Sequence, residues 1–381
     1  MRYLVGLLAI ICLTSSASAQ DIPASVMEAY EGYTRAAESN DLEAGLSYAY
    51  TAWQEGENAE IDRATLSVLA SNYAELAGLS GRHREAAEAY QRAVDLHLEA
   101  GGAEAETATF RTEIARSFLR ANQFRSARLQ ADENIEFFET HFDGEQRDLG
   151  LYFNRVVAAL AAFSASSEAA AVRYAEPAIE YVERNNGVQN EDIAYLAFIL
   201  ARSSYDLRRW EDAAYYGAIA YVIGRNVMPD AELVASSTGI IGGAGRRGEQ
   251  EGRLDELQAR VLASNFRPTE CASDDETCPA TIAAELAAGE TYIPSIPMFR
   301  IPPVYPSRAA QLGREGYVDV VFSVDERGRT FNVEVVESSS TLFENAALDS
   351  VERWRYWPAI RNGEPVQRHG VHTRIEFEFA Y

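Results

Sequence analysis

The chain has 381 residues, more than one ordinary hydrophobic core organises, so two or more domains are expected. Its formal charge is −24 and it contains no lysine, so all 34 basic residues are arginine, which excludes a P-loop lysine or a lysine Schiff base as a source of activity. The acidic balance also argues against nucleic acid or anionic lipid as a partner, because both need a basic footprint. In chain order, Arg2, the apolar run Leu4–Leu13 and the small-residue triplet Ala17–Ala19 read as a secretory signal peptide over residues 1–19. A spanning anchor needs about 20 apolar residues, and Thr14, Ser15 and Ser16 end this run early. The expected destination is the periplasm with no stable membrane span after cleavage; the alternative is an uncleaved inner-membrane anchor facing the periplasm.

Residues 20–265 are alanine-rich, with only Pro23, Pro177 and Pro229, and carry apolar residues at helical spacing. Most of the charge lies here, 40 acids against 22 arginines, compared with 12 against 9 over residues 301–381. Similar segments recur around Ala44, Ala86, Ala127, Ala171 and Ala213, at steps of 42, 41, 44 and 42, which predicts one helix pair per repeat. Gly81, Ala86, Tyr90 and Ala93 resemble the second-helix pattern of the tetratricopeptide repeat, as do Phe124 with Ala127, and Trp210 with Ala213 and Ala220. The period departs from the usual 34 residues of that family. The resemblance implies an all-α solenoid of repeats that holds peptides or partner proteins.

Near the end of this region Gly243, Gly245 and Gly248 satisfy G-x-G-x-x-G, but no strand alternation precedes them, so they are read as a flexible connection before a helix over 249–262. Residues 266–300 hold four of the twelve prolines and read as a linker. Within it Cys271 and Cys278, the two cysteines left after signal cleavage, predict a small disulfide loop; a redox-active pair is the alternative, though C-x6-C lacks the tight spacing of redox motifs.

The last eighty-one residues are strongly patterned. A short helix over 303–316 precedes a hairpin, with Val318, Val320, Phe322 and Val324 on one face, Gly328 in the turn, and Phe331, Val333 and Val335 returning on that face. A helix over 340–356 carries the stripe Leu342, Ala346, Ala347, Val351 and Trp354. The closing strand over 371–381 places Val371, Ile375, Phe377 and Phe379 inward and His372, Arg374, Glu376 and Glu378 outward. His369 and His372 fall on opposite strand faces, so no shared metal is expected. The dense stretch Trp354–Val366 reads as packing: Trp354 on the sheet, Pro358 ending the helix, and Gly363 in a turn.

Tyr305 with Pro306, the run from Glu315 through Gly316 to Gly328, Ser338–Ser339, Ala346–Leu348, Trp354–Ala359, Asn362–Val366 and Ile375–Phe379 closely resemble the C-terminal domain of TonB-type proteins over 301–381. The resemblance implies a small α+β domain of helix, β-hairpin, helix and strand that contacts outer-membrane receptors by strand addition beside the last strand. By position the binding edge would be the strand holding His372, Arg374, Glu376 and Glu378. The expectation is therefore a multidomain, non-enzymatic adaptor without cofactor, metal or catalytic residues. One partner is held by the repeats, and the C-terminal module engages a TonB-dependent receptor or another envelope protein. A TonB-type energy transducer is the alternative.

Overall fold

A computed structural model describes residues 22–185, 189–228, 232–250, 252–268, 271–272 and 290–379. The expected signal peptide and Cys278 of the expected disulfide lie outside the described residues. The chain divides into two compact units, the first ending at Asp143 and the second starting at Gly144.

The first unit contains α1 (Ala24–Glu38), α2 (Leu42–Asn58), α3 (Arg63–Leu79), α4 (His83–Glu99), a 3-10 turn (Glu104–Thr107), α5 (Ala108–Arg120) and α6 (Phe124–His141). The second begins with α7 (Gly144–Ser164), α8 (Glu168–Arg184), α9 (Glu191–Asp206), α10 (Trp210–Val227), α11 (Glu232–Gln250) and α12 (Leu254–Ala263). The five anchoring alanines all fall in the first turn of an even-numbered helix. Ala86, Ala127, Ala171 and Ala213 are fully buried, which is what lets paired helix backbones approach closely.

The turn inside each pair shows the repeat more sharply than the alanines do. Asn40, Gly81, Asn122, Ser166 and Arg208 all have φ between 53° and 77°. In each case the next residue's N–H reaches back five residues, as Asp41 to Ala36 O (2.9 Å) and Arg209 to Ser204 O (2.8 Å). The left-handed residue itself donates three residues back, as Asn122 to Leu119 O at 3.0 Å. This is the Schellman arrangement, which satisfies the last carbonyls of one helix and reverses the chain into the next. Only one of the five positions is glycine, so the period was visible in the alanines and not in the turn residues.

Helix α10 is buried continuously from Ala213 to Gly224, as its all-round hydrophobicity requires. Helices α9, α11 and α12 and strand β3 pack around it. The three glycines of 243–248 lie inside α11, not in a flexible connection. A Cβ on Gly245 would meet Ile301 Cδ1 at 3.2 Å and one on Gly243 would meet Tyr205 Oη at 2.8 Å. They are packing positions that let neighbouring chain lie directly on the helix backbone.

After α12 come β1 (Cys271–Ala272), β2 (Thr291–Ile293), β3 (Ile296–Phe299), α13 (Ser307–Gln311), β4 (Gly316–Val324), β5 (Thr330–Ser338), α14 (Thr341–Val351), β6 (Arg355–Trp357), β7 (Ala359–Arg361), β8 (Glu364–Val366) and β9 (Arg368–Phe377). All pairings are antiparallel, in three sheets ordered β1-β2-β7-β8, β3-β6 and β5-β4-β9. The end of the proline-rich stretch thus supplies two strands, β2 pairing with β7 and β3 with β6. The second helix ends at Val351, earlier than its apolar stripe suggests, and Arg355–Trp357 goes into β6. Aromatic and β-branched neighbours favour a strand there once β3 offers a partner.

Phe331 also departs from the alternation. Asn332 has φ 48° and the register of β4 and β5 shifts between Val321 and Ser323, so Phe331 pairs with Ser323, off the core face. A bulge residue flips everything beyond it to the other side. Phe331 instead meets the His369 ring edge-on at 6.1 Å. The core keeps Val318, Val320, Phe322 and Val324 of β4, Phe343, Ala347 and Val351 of α14, and Ile375 and Phe377 of β9, none more than 6% exposed.

Candidate functional site

The residues expected to be structural explain how the last strand is placed. Tyr305 stacks on Phe379 at 5.0 Å and meets Phe343 and Phe377 edge-on, while its hydroxyl donates to Arg314 O. Pro306 caps α13. Gly316 is the first residue of β4, where a Cβ would lie 2.1 Å from Ser339 Oγ and 2.7 Å from Phe343 Cε2. These contacts pin the end of β9, since Gly316 pairs with Phe377.

Trp354 lies just after α14, 5% exposed, with its indole Nε1 donating to Ile301 O at 3.0 Å and its ring edge-on to Phe322 at 5.9 Å. Tyr356 and Trp357 are each 1% exposed. Pro358 separates β6 from β7, and Asn362 (φ 51°) with Gly363 (φ 81°) forms the two-residue turn of an extra hairpin, β7 to β8. The aromatic stretch is core.

Sequence reasoning missed what lies against this corner. Gln258 of α12, 4% exposed, donates through Nε2 to Arg327 O (2.8 Å) and Tyr356 O (3.0 Å). Gly328, at φ 76°, accepts from Tyr356 N at 2.7 Å, and a Cβ there would sit 1.9 Å from Tyr356 O. Asp255, also on α12, accepts from Arg329 and Arg355, both at 2.9 Å. The last repeat-region helix is thereby hydrogen-bonded to the β4–β5 turn. No pattern in a glutamine or an aspartate on an amphipathic helix marks such a contact; only the glycine at 328 gave a signal.

Strand β9 pairs with β4 over its whole length and has no partner on its other side among the described residues. Gly370 (φ 67°) sits at a bulge between the pairs Phe322–Val371 and Val324–Arg368. His372, Arg374 and Glu376 are exposed and share the outer face of the sheet; Glu378 is exposed just beyond the end of the strand. The four do not act as one group. Arg374 makes a bidentate pair with Asp319, Nε to Oδ1 at 2.8 Å and Nη2 to Oδ2 at 2.6 Å, and lies 4.0 Å over the Tyr317 ring. That hydrogen bond holds the Asp319 carboxyl below its usual range and raises Arg374. The Tyr317 hydroxyl donates to Glu337 at 2.8 Å and is raised by that bond. Arg374 therefore ties β9 to β4 and, through Tyr317, to β5. No group of three or more metal-ligating side chains occurs among the described residues, and no helix there is long and apolar enough to cross a membrane.

Residues 301–379 match the family model of the Gram-negative bacterial TonB protein C-terminal. Protein TonB of Pseudomonas aeruginosa is 36% identical over 76 residues, 20% of this chain and 22% of that protein. Protein TonB of Klebsiella pneumoniae is 34% identical over 122 residues, 30% of this chain and 48% of that one. Protein TonB of Escherichia coli K12 is 40% identical over 57 residues, covering 15% and 24%. The chain thus spans between about a fifth and a half of these relatives. The solved structure of BtubC from P. vanneervenii aligns with 62% of this chain and 87% of its own, at a TM-score of 0.38 and 14% identity. Residues 301–379 carry a TonB-type C-terminal domain, and helical repeats precede it in the same chain.

Proposed function

We propose that this protein is a non-enzymatic adaptor of the cell envelope, whose C-terminal domain takes up a strand from an outer-membrane receptor or another envelope protein while the helical repeats hold a second partner. The observation that carries this reading is β9, a ten-residue strand paired on one side only among the described residues, within the segment that matches the TonB C-terminal family. An open edge offers a row of backbone donors and acceptors, so a partner strand gains affinity from main-chain bonds and selectivity from alternate side chains. His372 and Glu376 would flank such a strand.

Photo-crosslinking in cells tests this. With benzoylphenylalanine at position 372 or 376 we expect an envelope protein to be captured, and none with the same group at the exposed Glu352 after α14. Identical products from all three positions, or no product from β9, would refute strand addition. Energy transduction requires membrane retention, so release of the protein into the soluble fraction by osmotic shock separates the adaptor from a transducer.

A further inference from the structure

The connection between α4 and α5 in the first unit brings two histidines and two glutamates to one place. Gly101, at φ 81°, and the bond from Gly102 N–H to His97 O at 3.0 Å end α4 and send the chain into the 3-10 turn. Gly102 lets the His97 ring lie on the backbone there, since an added Cβ would sit 2.2 Å from Nε2. The turn itself is anchored at Thr107, which is fully buried, donates through its hydroxyl to Glu104 O at 2.7 Å and accepts from Arg111 Nε at 2.9 Å. Glu104 and Glu106 project from this fixed turn, each to a histidine at the end of a different helix.

His97 sits in the last turn of α4, and His141 is the last residue of α6. His97 Nε2 lies 3.0 Å from Glu106 Oε2 and 3.3 Å from Ala103 O. His141 Nδ1 lies 3.0 Å from Phe137 O, and its Nε2 lies 3.5 Å from Glu104 Oε2. The second ring has an acceptor at both nitrogens. A neutral imidazole carries one N–H and can donate to Phe137 O or to Glu104, whereas the imidazolium donates to both. Both rings also stand at helix C-termini, where a cation is favoured. A carboxylate of ordinary strength stays ionised between about pH 6 and 8, so the imidazoles are the groups that change charge there.

The neighbouring charges leave this arrangement in place. Arg111 of α5 takes Glu104 Oε1 at 3.1 Å, the oxygen that His141 does not face, and lies 4.6 Å over the Phe137 ring, which stacks on His141 at 4.5 Å. At the end of α4, Glu99 pairs with Arg63 of α3 and with Arg92. Among the described residues no further carboxylate lies within ion-pair distance of either ring.

We propose that His97 and His141 form a proton-operated clasp: protonated, they hold the Glu104–Thr107 turn to the ends of α4 and α6, and on deprotonation the turn is held by Arg111 and Thr107 alone. The closed turn is the state that holds the protons, so closure strengthens as pH falls through the imidazole range and weakens as pH rises through it.

Amide hydrogen exchange of the full chain tests this, read by mass spectrometry at about pH 6 and about pH 8 with times scaled for the intrinsic pH dependence. Protection in peptides spanning residues 101–111 should be about fivefold higher at the lower pH, the scale of two partly exposed ion pairs, while peptides of α8 in the second unit should not change. Combining His97→Gln with His141→Gln should remove the difference. Glu104→Gln, at an exposed position whose loss does not threaten the fold, should reduce it. Equal protection of the turn at the two pH values in the unmodified chain overturns the proposal. So does a difference undiminished in Glu104→Gln or surviving in the double variant, and so does one as large in α8, which would report a general change in stability.

Discussion

Gly328→Ala tests whether α12 and the β4–β5 turn are held together as described. The substitution acts twice. Alanine at φ 76° costs about 1 kcal/mol relative to glycine. Its Cβ would also fall 1.9 Å from Tyr356 O and 2.6 Å from Gln258 Nε2, so backbone must move. That movement breaks the Tyr356 to Gly328 bond at 2.7 Å and disturbs the two Gln258 bonds at 2.8 and 3.0 Å. With the broken bond worth about 1 to 3 kcal/mol when its partner is left unsatisfied, strain and that bond together cost about 2 to 4 kcal/mol, and any loss at Gln258 adds to this. Gly363→Ala is the control: its φ is 81°, but nothing lies within 4 Å of the added Cβ, so it should cost only about 1 kcal/mol. Amide hydrogen exchange of the full chain, followed by mass spectrometry, measures both. Gly328→Ala should lower protection in peptides of β4, β6 and α12 together. If it costs no more than Gly363→Ala, or if α12 keeps its protection, the described attachment of α12 is wrong.

Three other outcomes follow from the packing. Trp354→Ala should destabilise the C-terminal domain by about 3 to 5 kcal/mol in denaturant titration, because it empties a buried site and leaves Ile301 O with the Ser350 hydroxyl as its one remaining side-chain donor. Arg208→Gly should stabilise the second unit by about 1 kcal/mol, since Arg208 holds φ 61° in a turn where Gly81 does the same at no steric cost. Glu75→Gln should raise the melting temperature near pH 7 and leave it unchanged near pH 4. The folded-state carboxyl is raised above its ordinary 4.5, so the folded protein resists its ionisation and stability falls as pH climbs past that value. A melting temperature that falls at pH 7 would contradict the unfavourable surroundings of the Glu75 carboxylate.

The repeats and the C-terminal fold were legible because each depends on local periodicity. Alanines about 42 residues apart mark helix pairs whose backbones touch, and they sit in the first turns of α2, α4, α6, α8 and α10. The alternation of Val318, Val320, Phe322 and Val324, and of Ile375 and Phe377, reports a sheet with one buried face. The last strand and its outward residues could therefore be read in advance, including the exposure of His372, Arg374 and Glu376.

What tertiary structure alone decided is every case where a distant partner changed the meaning of a residue. The glycines of 243–248 look like a loop, and become helix because neighbouring chain packs on their backbone. Arg355–Trp357 continues a helical stripe, and becomes strand because β3 lies beside it. Phe331 keeps the alternation in sequence and leaves the core because Asn332 adopts a bulge. Arg374 looks available at the edge and is committed to Asp319 across the sheet. Sequence determined which faces are apolar and how long each element can run, because those depend on the spacing of neighbours along the chain. Pairing, register and the hydrogen bonds of Gln258 depend on groups tens of residues apart, and no local pattern carries them.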